Sequence, residues 1–102
     1  MIPKSYGIPN EFFEEFEPLG ARKLKSFLNE VDLKFRATIS EIEETSDADP
    51  VFVGLFMSKE LSSISKQIIR PDFSTIGISR EDLDALIEHL AQEALNDYYR
   101  QF

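Results

Sequence analysis

Toward the end of the chain, apolar residues recur at spacings of three and four. Leu83, Leu86, Ile87, Leu90, Ala94 and Tyr98 make one stripe, and Glu81, Asp82, Asp84, Glu88, Glu93 and Asp97 lie off it. That period predicts a long amphipathic helix over about 80–100. Ser79 with Asp82 three positions on is a capping-box start, and acids in the first turn suit the helix dipole. Leu83, Leu86, Ile87 and Leu90 are the expected core residues of this segment.

A shorter helix is expected over about 58–69. Ser58 would cap it, Leu61, Ile64 and Ile68 would line its inner side with Met57, and Pro71 would close it. Near the start, Asn10 can cap a two-turn helix over Glu11–Glu17 that Pro18 stops. A further helix over about 19–29 would bury Leu24, Phe27 and Leu28.

The middle of the chain fits two periods. Val31, Leu33, Phe35, Ala37 and Ile39 alternate with Asp32, Lys34, Arg36, Thr38 and Ser40, the template of a half-buried strand. Leu24, Leu28, Val31, Phe35, Ile39 and Ile42 also recur at three and four, which one helix over 20–43 would satisfy at the cost of exposing Leu33. From Val51 to Met57 the apolar residues point all round a helix, then narrow to one stripe after Ser58. That change favours a buried strand followed by a helix, whereas Asp49-Pro50 favours a helix start. The balance of these signals predicts an α+β fold, with helices packed on a small antiparallel hairpin of 31–43 with 51–57. Phe73–Ile78 is a candidate third strand. The alternative is an all-α three-helix bundle.

Composition narrows the class. The chain has 102 residues, 42% hydrophobic, with no internal repeat or linker, and is read as one domain over 1–102. The longest apolar run, Val51–Met57, is far shorter than the ~20 residues of a membrane helix. The first ten residues carry no signal-like apolar run, so a cytoplasmic protein is expected. With no cysteine, thiolate metal sites, disulfides and cysteine nucleophiles are excluded.

The net charge of −8 disfavours direct grip on a phosphate backbone. Its one counter-signal is the block Arg22, Lys23, Lys25, Lys34 and Arg36, which balances the acidic blocks beside it. His89, the only histidine, sits opposite the last helix's apolar stripe without the partners a ligand or general base needs. Gly7, Gly20, Gly54 and Gly77 are isolated, so no phosphate loop is present, and Ser58, Ser62, Ser63 and Ser65 have no nucleophile elbow around them. No cofactor and no catalytic residue is assigned.

What remains points to protein–protein contact. Phe12, Phe13 and Phe16 fall on one side of a short helix ringed by glutamates, a shape suited to docking in a groove. Tyr99 and Phe102 extend the aromatic theme at the other terminus, where Tyr98 continues the core stripe, and such rings are common at interface hot spots. Phe12, Phe13, Phe16, Tyr99 and Phe102 are therefore the candidate contact residues, toward another protein or a second copy. The expected function is a small acidic non-catalytic binding module: a subunit, an adaptor or an inhibitor, of phage or immunity type among others. One alternative is mimicry of nucleic acid toward a basic protein by Glu41, Glu43, Glu44, Asp47, Asp49, Asp84 and Glu88. Another is a metal-dependent enzyme built on the acidic loop 41–49, although Pro50 and the lack of a glycine before Gly54 depart from a calcium loop.

Overall fold

A computed structural model describes Ile8 and residues 10–47 and 49–101. It shows four α-helices in chain order: α1 (Asn10–Glu14), α2 (Pro18–Thr45), α3 (Pro50–Gln67) and α4 (Arg80–Tyr99), with a 3-10 turn at Ser74–Ile76. No strand occurs among the described residues. The expected hairpin of 31–43 with 51–57 is therefore overturned. Both segments are helical, the first inside α2 and the second inside α3. Phe73–Ile78 is not a strand either. It forms the 3-10 turn and a reversal at Gly77, whose φ of 86° lies in the left-handed region that glycine enters without strain.

The exposures explain why the helical period prevails over 31–43. Val31, Phe35 and Ile39 are buried, and these three belong to both periods. The residues that separate the two readings are Leu33 and Ala37, which a strand would bury with them. Both are exposed, Leu33 at 67%. The buried set is Leu24, Leu28, Val31, Phe35 and Ile39, one unbroken helical stripe.

Each helix start is marked by local chemistry. The Glu17 carboxylate accepts hydrogen bonds from the amides of Leu19 (2.8 Å) and Gly20 (2.9 Å), and Pro18 supplies the first helical position, so Pro18 opens α2 as well as ending the segment before it. Asp49 caps α3 by accepting from the Val51 amide at 2.9 Å, again followed by proline. The Ser79–Asp82 capping box forms at α4: Asp82 N donates to Ser79 Oγ at 3.1 Å, and Ser79 N donates to Asp82 Oδ2.

α2, α3 and α4 pack pairwise, and α1 lies on α2. Leu24, Phe35, Met57, Leu61, Leu83 and Ile87 are the largest fully buried side chains at their common centre. Of the four core residues expected in the last helix, Leu83, Ile87 and Leu90 are buried and Leu86 is half-buried. An ion-pair cluster ties α2 to α4. Arg36 Nε donates to the largely buried Asp32 carboxylate at 3.1–3.2 Å, and its Nη1 lies 2.8 Å from Asp97. The Cα trace measures 46 × 31 × 15 Å. Its thin dimension is that of two packed helix layers, ~10 Å between axes plus the ~5 Å width of a Cα cylinder, so each helix has an outer side that no other helix covers.

Candidate functional site

On α3 that outer side is apolar. Val53, Gly54, Met57 and Leu61 are buried, and Ile64 is half-buried beside them. At 100° per residue, Val51, Phe52, Leu55 and Phe56 fall within ~70° of the direction opposite this core stripe. Their exposures are 62%, 69%, 62% and 50%. The same outward direction carries Lys59, Ser62, Ser63 and Lys66 along the C-terminal half, all exposed. The face thus changes character midway, apolar in its first two turns and polar to basic beyond. The apolar residues that pointed all round a helix in the sequence do so in the structure: Val53 and Met57 face inward with Gly54, and Val51, Phe52, Leu55 and Phe56 face outward.

The C-terminus of α4 borders this face. Tyr99 lies over Gly54, and a Cβ at position 54 would collide with the Tyr99 ring and hydroxyl. Glycine is needed there so that the ring can approach the helix backbone. Tyr99 stays 42% exposed and meets Tyr98 edge-on with ring centroids 5.4 Å apart. Tyr98 is buried, and its hydroxyl donates to the Pro50 carbonyl at 3.5 Å. Burial pushes the Tyr98 phenol above its ordinary pKa, and the charge of Glu43, then Tyr99 and Asp49, adds to the effect. The acids of the α2–α3 junction therefore lie beside the N-terminal end of the apolar face.

The other candidate residues are distributed as follows. Phe13 is buried and lies under the Lys25 ammonium, 5.8 Å from its ring centroid. Phe12 and Phe16 are half-buried against the core, edge-on to each other at 5.2 Å. They wall a cleft of about 430 Å³ with Ile78, Ala85 and Leu86 near the start of α4. Tyr99 is at the far end of that helix, ~20 Å along the axis from Leu86, so the structure does not bring the two aromatic groups together. Phe102 lies outside the described residues.

The acidic residues are also divided. Glu41, Glu43 and Glu44 are exposed on the last turns of α2, not in a loop, and Asp47 and Asp49 are exposed in the junction after it. Asp84 and Glu88 are exposed on α4, but Asp84 pairs with Arg70 just past α3 (2.5 Å) and with Arg80 (3.4 Å). The Arg70 hydrogen bond holds the Asp84 carboxyl below the usual carboxylate range. The two acidic groups thus lie at opposite ends of α3, ~27 Å apart along its axis. Among the described residues no three of His, Cys, Asp and Glu converge in a way that could hold a metal ion. His89 is exposed, and of the basic block Arg36 is engaged with Asp32 and Asp97.

Sequence reasoning assigned Phe52, Leu55 and Phe56 to the core and so missed the apolar face. The available signal was that a segment apolar on every side cannot bury every side in so small a domain. No protein family, characterised protein or solved structure matches this chain. Among the described residues no helix is long and apolar enough to cross a membrane.

Proposed function

We propose that this chain is a small, acidic, non-catalytic protein-binding module of the cytoplasm, and that the outer face of the first half of α3 is its contact surface. The observation that carries the reading is the contiguous exposure of Val51, Phe52, Leu55 and Phe56 on the side of α3 turned away from the core. Taking ~200 Å² for an aromatic side chain and somewhat less for Val and Leu, these four with Tyr99 expose on the order of 500 Å². Patches of that size on a small domain commonly mark interaction sites. Leaving them in water forfeits the ~25 cal/mol per Å² that burial would return. The core lies entirely on the opposite side of α3, so folding alone places no demand on these side chains.

The acids at the N-terminal end supply a charged border of the kind that steers encounter and falls off with salt. Mimicry of a nucleic-acid track draws less support, because its residues are split between two ends of the bundle and Asp84 is already paired.

The test is a double substitution, Phe52→Ser with Phe56→Ser, with wild-type protein and the variant each immobilised and exposed to extract from the native host. The variant should stay folded, with an unchanged circular dichroism spectrum and a melting point lowered only by the covered parts of the two rings, and proteins retained by the wild type should be lost. An unaltered set of retained proteins would refute the assignment of this face.

A further inference from the structure

The occupant of the α3 face follows from how its charge is ordered. Along α3 the exposed residues run from acid at its N-terminal end (Asp47 and Asp49, in the junction before Pro50) through the outward apolar block (Val51, Phe52, Leu55, Phe56) to base (Lys59, then Lys66). We propose that this face pairs with the same face of a second copy of the chain, the two α3 helices antiparallel about a two-fold axis through the middle of the apolar block. The inference rests on the assignment of the face as a contact surface and adds its partner and direction.

An isologous interface must be complementary to itself, with each patch meeting its own copy in reverse order. The apolar block is centred between positions 53 and 54. A two-fold there sets the block against itself and brings Lys59 of each copy toward the acidic N-terminal end of the other's α3. In a parallel arrangement Lys59 would face Lys59 and the acids would face the acids, which like-charge repulsion disfavours. No other segment between Pro50 and Gln67 shows this reversal of sign about an apolar centre.

The area is adequate. On the order of 500 Å² of apolar surface per copy, with the polar rim added, approaches the ~800 Å² per partner of a standard stable interface. Each copy carries a net charge of −8. The apolar centre must therefore supply the affinity, while the acid–base match fixes direction. Tyr99, held over Gly54 at the flank, adds a ring at the border.

The chain contains no cysteine, so single cysteines report the register without background. Across the proposed axis, two copies of position 55 are offset by only ~4.5 Å along the helices, and facing helices can bring such Cα atoms within the ~7 Å a disulfide needs. Two copies of position 59 are offset by ~16 Å and cannot bridge. Under mild oxidation Leu55→Cys should give a covalent dimer, and Lys59→Cys alone should not.

Sedimentation equilibrium of the unmodified protein supplies the independent readout. The mass should rise from 11.7 kDa toward twice that value with concentration. The Phe52→Ser/Phe56→Ser variant should raise the dimer Kd by at least about thirtyfold, the loss expected for central hot-spot residues. A wild type that stays monomeric at millimolar concentration overturns the pairing. A captured partner lost on the same double substitution would still leave the contact face standing, so the two claims fail separately. Self-bridging by Lys59→Cys would overturn the antiparallel register.

Discussion

The contact between Gly54 and Tyr99 can be tested as a coupling between two helices. A glycine inside a helix is ~1 kcal/mol less favourable than alanine, so Gly54→Ala should stabilise α3 if nothing else changed. Something else must change, because the added methyl would overlap the Tyr99 ring and hydroxyl. Tyr99 is 42% exposed, so more than half of its surface is covered. Driving the ring into solvent forfeits at most ~100 Å² of cover, worth up to ~2.5 kcal/mol at ~25 cal/mol per Å². The single Gly54→Ala variant should then lose about 1 kcal/mol net, the ring's loss exceeding the helix's gain. In a Tyr99→Ala background the obstacle is gone, and the same substitution should gain about 0.5–1 kcal/mol. The sign reverses, with a coupling energy of ~2 kcal/mol, inside the range seen for residues in contact. Urea unfolding of the wild type, both single variants and the double variant measures all four terms. A gain from Gly54→Ala of equal size in both backgrounds would show that Tyr99 does not rest on α3, and the border of the binding face would have to be redrawn.

Leu90→Ala should cost ~2–5 kcal/mol because Leu90 is 2% exposed, and Leu86→Ala should cost distinctly less because Leu86 keeps part of its surface in water; urea midpoints compare them directly. Ser79→Ala removes the hydroxyl that accepts from the Asp82 amide and should destabilise α4 by ~1 kcal/mol in thermal unfolding, with Ser79→Asn restoring most of the loss. Asp84 has a folded pKa below its unfolded value because Arg70 donates to it, so its contribution is present at neutral pH and is lost as the pH falls below ~4 through the folded value. Asp84→Asn should flatten the acid limb of a stability–pH profile measured from pH 7 to 3. Asp32 acts in the reverse sense: burial raises its carboxyl, so its titration favours the fold most below the unfolded pKa and fades as the pH rises through the raised value.

The elements legible from sequence were those whose inner and outer sides differ in polarity. α4 shows a stripe, a capping box and an acidic outer side, and it appears where those signals place it. α2 was harder because Val31, Phe35 and Ile39 stand eight residues apart end to end, a span that fits both a period of two and the helical repeat. Only Leu33 and Ala37 distinguish the readings, and a leucine facing water is the less expected outcome for a single position. The α3 segment 51–57 misled in a related way. Its outer side is as apolar as its inner side, and an all-round apolar run looks the same whether a strand buries it or a helix leaves half of it exposed. Asp49-Pro50 marked the helix start correctly, since a capping carboxylate followed by a residue with fixed φ is a local device that does not depend on what the helix packs against. The terminal aromatics were visible as a group, but their separation along α4 depends on tertiary arrangement that spacing in sequence does not carry.

The two-sided character of the first half of α3 has a consequence for how the helix finds its rotational setting. Before α4 docks, turning α3 by half a revolution would exchange Val53 and Met57 for Phe52 and Leu55 at little cost in those turns. The choice is made further along, where Leu61 and Ile64 oppose Lys59, Ser62, Ser63 and Lys66, and at Gly54, whose missing side chain admits Tyr99 on one flank only. Replacing Lys59 and Lys66 with leucine would erase that asymmetry. The chain would then have two near-equivalent ways to seat α3, and ambiguity in seating, more than loss of helix, would be the outcome.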